Sequence, residues 1–471
     1  MVIVMSSRKT SPHHPTPFKS PRRKNSGLKI SLIVLLVVVL IAIATWFALR
    51  PPGPMDFAVG ARVDLATYRA IDPTGAPGLG PQADIIARGE YLARAGNCFT
   101  CHTVPGGKAL AGGVPFKLPF GTIYSTNLTP DQETGIGTWT DDDFVRAMHE
   151  GIGKAGERLY PVFPYTSYTL LVRDDVLAIK AYLFSLPPVH LVVPTDNVSF
   201  PYSQRNLMRI WNALFNPDER FRPNIGQTPE WNRGAYLVEA LGHCDDCHTP
   251  RNFLMASDFR RKLGGAMIDG WKAYNISSDA EWGIGAWSEA QLMEYLSVGH
   301  AEKRSSAGGP MADVLDDSLR FLVKDDIRSM AAYLRTIPAI RDPRAPVAVP
   351  SPILPPPPPR APVAVAASDS LGLRVFEGAC VGCHDFDGNG TTWSHATLVG
   401  NRTVNDPTAV NATRSILDGA KLETPQGSIF MPSFRNSYSD AEIAAVANFI
   451  TGRFGVRASV LKTDDVARLR Q

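Results

Sequence analysis

Cys98-Phe-Thr-Cys101-His102, Cys244-Asp-Asp-Cys247-His248 and Cys380-Val-Gly-Cys383-His384 repeat one pattern, C-x-x-C-H, and together use every cysteine in the chain. Paired thiols at this spacing form thioethers with the vinyl groups of a haem, and the adjoining imidazole is placed to ligate the iron from one face. The pattern therefore predicts three covalently bound haem c groups, held by Cys98, Cys101, Cys244, Cys247, Cys380 and Cys383, with His102, His248 and His384 as iron ligands. A tetrahedral zinc site would need four ligands brought together, whereas these pairs lie more than a hundred residues apart. A thioredoxin-like thiol pair would occur once, in a βαβ setting.

An electron-transfer haem needs a second axial ligand, and a methionine thioether raises its potential. In the second segment Gly299 closes a helix and Met311 follows twelve residues later; in the third, Gly419 and Met431 keep the same offset. Met311 and Met431 are the expected sixth ligands. In the first segment, Gly151 plus twelve is Phe163, which cannot ligate iron. His149 or Met148 on the preceding helix, a ligand from elsewhere, or a five-coordinate iron remain open there, with His149 the preferred candidate.

The elements that carry these residues are themselves repeated. Asn127 to Thr140 matches Asn275 to Ser288 without a gap, and Gly89-x-Tyr91 before the first motif mirrors Gly234-x-Tyr236 before the second. Val176 to Leu183 and Ile327 to Leu334 are apolar-periodic and read as helices. Ser288-x-x-Gln291, Ser439-x-x-Glu442 and Thr140-x-x-Asp143 mark helix starts as capping boxes. Tyr91, Tyr236, Trp139 and Trp287 are expected to pack around the porphyrins. Carbonyls in the turns Thr103-Val-Pro105 and Thr249-Pro250 are expected to accept the Nδ1 proton of the ligating histidines.

Ile30 to Leu49 is an uncharged apolar run long enough to span a bilayer. It exceeds the apolar core of a cleaved signal, so it reads as an anchor. Residues 1–29 carry seven Lys/Arg and no acid, which keeps that tail cytoplasmic and exports the rest of the chain. Taking those seven charges from the net +3 leaves −4 for the remainder, with no basic stripe suited to nucleic acid. The aromatic stretch Leu191 to Thr228 reads as a packed connector. Pro355 to Pro359 lies in a semi-rigid spacer, behind which the third segment is expected to be the more mobile one.

Phe120-Gly-Thr-Ile-Tyr-Ser-Thr-Asn127, Leu159-Tyr-Pro-Val-Phe-Pro-Tyr-Thr166, Glu230-Trp-Asn-Arg-Gly-Ala-Tyr-Leu-Val238 and Gly242-His-Cys-Asp-Asp-Cys-His-Thr-Pro-Arg-Asn252 resemble the triheme cytochrome c subunits of membrane-bound bacterial dehydrogenases, such as alcohol, gluconate, sorbitol and aldehyde dehydrogenases. The resemblance covers roughly residues 85 to 455. It implies an all-α fold of three tandem class I cytochrome c-like domains behind a transmembrane helix. The expected boundaries are a tail at 1–29, an anchor at 30–49, a linker at 50–84, domains at 85–190, 229–337 and 368–456, a connector at 191–228, a proline-rich linker at 338–367, and a tail at 457–471. It also implies a dehydrogenase catalytic subunit as partner (quinoprotein, flavoprotein or molybdenum hydroxylase) and ubiquinone or a terminal oxidase as acceptor, on the periplasmic side of the inner membrane. Many members carry methionine where Phe163 stands, and many have a cleaved signal.

With no Ser/His/carboxylate constellation and no phosphate-binding glycine loop, the isolated chain is predicted to convert no substrate. The main rival from another class is an enzyme, a multihaem peroxidase using a five-coordinate first haem, and a second rival is a cytochrome module of a terminal oxidase.

Overall fold

Where helix Ile85–Ala95 crosses helix Arg173–Ser185, Gly89 faces the Ala178 carbonyl so closely that a Cβ would sit 1.9 Å from its oxygen. Gly234, on helix Pro229–Tyr236, faces the Ser329 carbonyl of Lys324–Leu334 at the same 1.9 Å. Gly372, on Ala367–Ala379, faces Ala445 of Asp440–Phe454 at 2.3 Å. Each segment is thus a pair of helices crossing backbone to backbone at a glycine, with the C-x-x-C-H turn just after the first helix, in the second segment after a π-helical turn, Leu237–Leu241.

The computed structural model describes residues 26–49, 53, 56–57, 85–341, 367–391, 393–424 and 427–471. The tail up to residue 25, most of the 50–84 linker and the tract Pro355 to Pro359 lie outside the described residues. Two compact units are distinguished, 1–50 and 51–471. The first holds helix Ser26–Leu49, whose apolar stretch Ile30–Leu49 is long enough to cross a membrane and contains no buried residue.

In the second unit a third helix completes each segment: Asp141–Glu150, Glu289–Val298 and Val410–Asp418. All three capping boxes read from the sequence form, with Thr140, Ser288 and Ser439 each accepting from the backbone N–H three residues on. The all-α expectation is corrected. Four small antiparallel sheets lie among the described residues, including Pro115–Leu118 with Gly121–Tyr124, Ala266–Ile268 with Trp271–Ala273, and Ala420–Thr424 with Gly427–Met431. Backbone that is buried without entering a helix still needs hydrogen-bond partners, and short hairpins supply them.

The first two segments share one hydrophobic core, from Leu92 to Ile337 and reaching Leu422 of the third. They are also locked by a reciprocal exchange. Arg88 pairs with Asp175 at 2.6 Å and Arg233 with Asp326 at 2.7 Å, each within its own segment. The tyrosines cross over: Tyr91 Oη donates to Asp326 at 2.5 Å, and Tyr236 Oη donates to Asp175 at 2.7 Å. Tyr91 and Tyr236, expected around the porphyrins, are instead the ties between segments. A charged acceptor makes a strong bond to a buried hydroxyl, and this repays the tyrosine's desolvation.

In the connector, Asn197–Val198 pairs with strand Gly121–Tyr124 and helix Met208–Phe215 follows. Phe215 and Phe221 are buried, whereas Phe200 is exposed. The third segment has its own core, including Phe376, Ile443 and Phe454. It is docked on the second rather than free behind its proline tether. Asn411 bonds both backbone groups of Lys272, accepting at 2.8 Å and donating at 2.9 Å, and Lys272 Nζ pairs with Asp406 at 3.0 Å. Asp316 accepts from the Glu423 N–H at 3.0 Å.

Candidate haem sites

Asn97 and His243, with φ of 55° and 34°, precede the first two motif helices, Cys98–His102 and Cys244–His248. This left-handed residue turns the chain out of the long helix, so that the thiols and the histidine leave from one short turn. All six cysteines are free, and burial pushes Cys98, Cys101 and Cys247 up to about 12 and Cys380 to about 11, with Cys244 higher still. A redox-active thiol pair is poised the other way, with a depressed pKa.

The three histidines share one geometry. His102 Nδ1 lies 2.7 Å from the Thr126 carbonyl, His248 Nδ1 2.6 Å from that of Tyr274, and His384 Nδ1 2.6 Å from that of Ala396. A carbonyl oxygen only accepts, so Nδ1 carries the proton and Nε2 keeps its lone pair free for a metal. Burial holds His102 and His248 neutral, with pKa values near 4, and lowers His384 as well. The acceptors are not in the turns expected from the sequence. Thr103 and Thr249 use their hydroxyls to accept from the Leu110 and Leu263 N–H groups, both at 3.0 Å.

One cavity of about 1510 Å³ is lined by Cys101 of the first motif, Cys244, Cys247 and His248 of the second, and Cys380, Cys383 and His384 of the third. Met311 and Met431 line it too. Met311 follows Gly309 at the start of helix Pro310–Asp317, and Met431 ends strand Gly427–Met431. The first two motifs lie close together, Cys101 near enough to Cys247 and Asp246 for their charges to interact, and Thr100 donates to Asp317 of the second segment at 3.1 Å. Trp287 lines the cavity, while Trp139 packs on the shared core.

Backbone hydrogen bonds fix the equivalence of Phe163 and Met311. The Leu159 N–H bonds the Gly151 carbonyl at 2.8 Å, and the Ala307 N–H bonds the Gly299 carbonyl at 2.7 Å. Four residues beyond each stands Phe163 or Met311. Phe163 packs on the shared core, with its ring 5.6 Å from that of Tyr168. Tyr168 in turn donates to the Gly96 carbonyl at 2.7 Å, just ahead of Cys98. On the helix before, Leu292 and Leu296 face the cavity in the second segment, as do Ala412 and Ile416 in the third. The matching positions in the first are Phe144 and Met148, both buried in the core. His149 lies one residue off this stripe. Its buried ring is held neutral, near pKa 4, by burial and the charge of Arg220, and it sits by the Leu171 backbone.

Sequence reasoning passed over Arg402 and Tyr274, both of which line the cavity. Tyr274 Oη is buried beside Thr403 without a hydrogen bond of acceptable geometry.

The cytochrome c family model matches residues 86–187 and 370–453. The gluconate 2-dehydrogenase cytochrome c subunit of Pantoea cypripedii is 38% identical over 409 residues, covering 82% of this chain and 90% of that protein. The chain belongs to the dehydrogenase cytochrome c subunits. The fructose dehydrogenase cytochrome subunit of Gluconobacter japonicus is 35% identical over 411 residues, 82% of either chain. A nicotinate dehydrogenase subunit of Pseudomonas putida is 40% identical over 414 residues, 87% of this chain, which spans only 34% of that longer protein.

As a cytochrome c, the chain binds haem c covalently. Its residues fit the group: neutral imidazoles with Nε2 free, paired thiols, a largely apolar cavity and a buried hydroxyl in want of an acceptor. The second motif lies between the two matched stretches, yet it repeats the first one's histidine–carbonyl bond.

Proposed function

We propose that the chain is a membrane-anchored triheme cytochrome c. It takes electrons from a periplasmic dehydrogenase catalytic subunit of quinoprotein, flavoprotein or molybdenum hydroxylase type and passes them to ubiquinone or a terminal oxidase. The observation that carries this reading is the meeting of three C-x-x-C-H motifs around connected interior space in one compact unit. Bound haem supplies one-electron ferric–ferrous cycling. The protein's part is attachment through Cys98, Cys101, Cys244, Cys247, Cys380 and Cys383, and ligation through His102, His248 and His384. Met311 and Met431 close the second and third sites with thioethers, which favour ferrous iron. Helix Ser26–Leu49 serves as the anchor, with the basic tail held in the cytoplasm by the positive-inside rule.

Phe163 gives a peroxidase reading its one foothold, because it leaves the first site without a loop thioether. Peroxide cleavage also needs a side chain that moves a proton on the distal face. The residues at that face, Phe144, Met148 and Phe163, carry none. Electron relay is the better reading.

Mass spectrometry of the purified chain tests it, with three haem adducts expected. Detergent-solubilised membranes should yield the chain together with a dehydrogenase whose substrate reduces all three haems. Adduct-free protein, or haems that stay oxidised when the co-purified enzyme turns over, would refute it.

A further inference from the structure

Arg402 belongs to the third segment, on the short helix Arg402–Asn405, yet it points into the second. Its backbone N–H bonds the Arg304 carbonyl at 2.8 Å, its guanidinium donates to the Trp282 carbonyl, and it lies 4.6 Å from the centre of the Tyr274 ring. It lines the same cavity as His248 and stands close enough for its charge to act on that imidazole.

Among the described residues Arg402 makes no ion pair. The nearby carboxylates are committed elsewhere, Asp406 to Lys272 at 3.0 Å and Asp279 to Arg341 at 3.6 Å. Burial pulls its pKa below the ordinary arginine value despite the opposing charges of Asp406 and Asp279. A half-buried guanidinium is unfavourable unless an anion faces it. Beside it the buried Tyr274 hydroxyl has Thr403 near it but no hydrogen bond of acceptable geometry. A cation and an orphaned hydroxyl sharing one wall of a haem cavity describe a carboxylate subsite, and haem carries its carboxylates as propionates.

We propose that Arg402, with Tyr274, binds a propionate of the second haem, so that the third segment completes the second segment's site. This rests on the triheme reading. The fixed positive charge favours the ferrous form of the second haem and ties its potential to docking of the third segment.

The test is potentiometric titration of the full-length, haem-loaded protein in detergent, with haem content measured in every sample. Arg402→Gln keeps an N–H for the Trp282 carbonyl and removes the charge. One of three couples should fall, its ferrous-to-ferric ratio at fixed potential dropping about tenfold, or about 59 mV for a one-electron couple. It should be the couple displaced by Met311→Ala, and Arg402→Lys should recover most of the loss. Three haems with no couple moved in Arg402→Gln would overturn the proposal while leaving the triheme reading intact. Fewer than three haems in the unmutated protein would overturn both. If Arg402→Gln does not accumulate, a density map of the haem-loaded native chain decides: the guanidinium either lies within ion-pair distance of a propionate or it does not.

Discussion

Tyr91 of the first haem segment donates its hydroxyl to Asp326 of the second at 2.5 Å, on the same carboxylate that Arg233 grips through two nitrogens. Tyr236 returns the contact to Asp175, which Arg88 holds. Each carboxylate is thus satisfied by an arginine of its own segment and a tyrosine of the other.

Tyr236→Phe should therefore lower stability by about 1.5–3 kcal/mol, because it strips a buried charged acceptor of a donor. The loss should appear in urea denaturation of the haem-loaded protein with haem content unchanged. Tyr91→Phe should act in the same direction, and the double variant should fall short of the sum if the two ties are coupled.

Gly234→Ala places a Cβ 1.9 Å from the Ser329 carbonyl oxygen. It should cost at least about 1–3 kcal/mol as the helices are forced apart. Gly378, exposed in the third segment with nothing within 4 Å of its added Cβ, is the control. Gly378→Ala should be neutral or gain up to about 1 kcal/mol from helix propensity. Thermal melts of both variants check the contrast.

Phe163 stands where its repeat carries Met311, so the reduced protein should bind carbon monoxide at one haem of three. Phe163→Met should abolish that binding and raise the potential of the same haem. Met148→Leu should leave the carbon monoxide difference spectrum as it is. If Met148→Leu instead creates new carbon monoxide binding in a protein that lacked it, Met148 is the ligand.

His300 and His395 stack across the seam between the second and third segments, with ring centres 4.4 Å apart. Burial lowers both, His300 to about 4 with a further push from the charge of His395. Their folded pKa values lie below the unfolded 6.5, so the unfolded chain takes up more protons as pH drops. Stability should be full above pH 6.5 and decline as pH falls towards 4. His300→Gln should flatten the dependence of Tm on pH over that window.

Short-range signals made the helices and their starts legible, because Thr140, Ser288 and Ser439 each reach only three residues ahead. Internal repetition singled out Met311 and Met431 at one offset, and both line the cavity. What the sequence concealed acts over distance. The carbonyls of Thr126 and Tyr274 that orient His102 and His248 are backbone groups 24 and 26 residues away, with no side-chain signature. Tyr91 and Tyr236 looked like porphyrin neighbours because they precede the motifs, but the carboxylates they serve lie 235 and 61 residues off. The hairpins escaped notice because strands of two to five residues leave too little alternation to read. Docking of the third segment rests on single polar contacts such as Asn411 with Lys272, which no periodicity announces.

The crossed tyrosines have the form of an isologous contact, in which a surface patch meets its own copy about a two-fold axis. Such a patch is self-complementary, so one haem-bearing half produced alone would carry both the donor and the acceptor and would pair with another of its kind. Joined in one covalent chain, the two halves stay paired at any dilution, and their C-x-x-C-H motifs stay together with them.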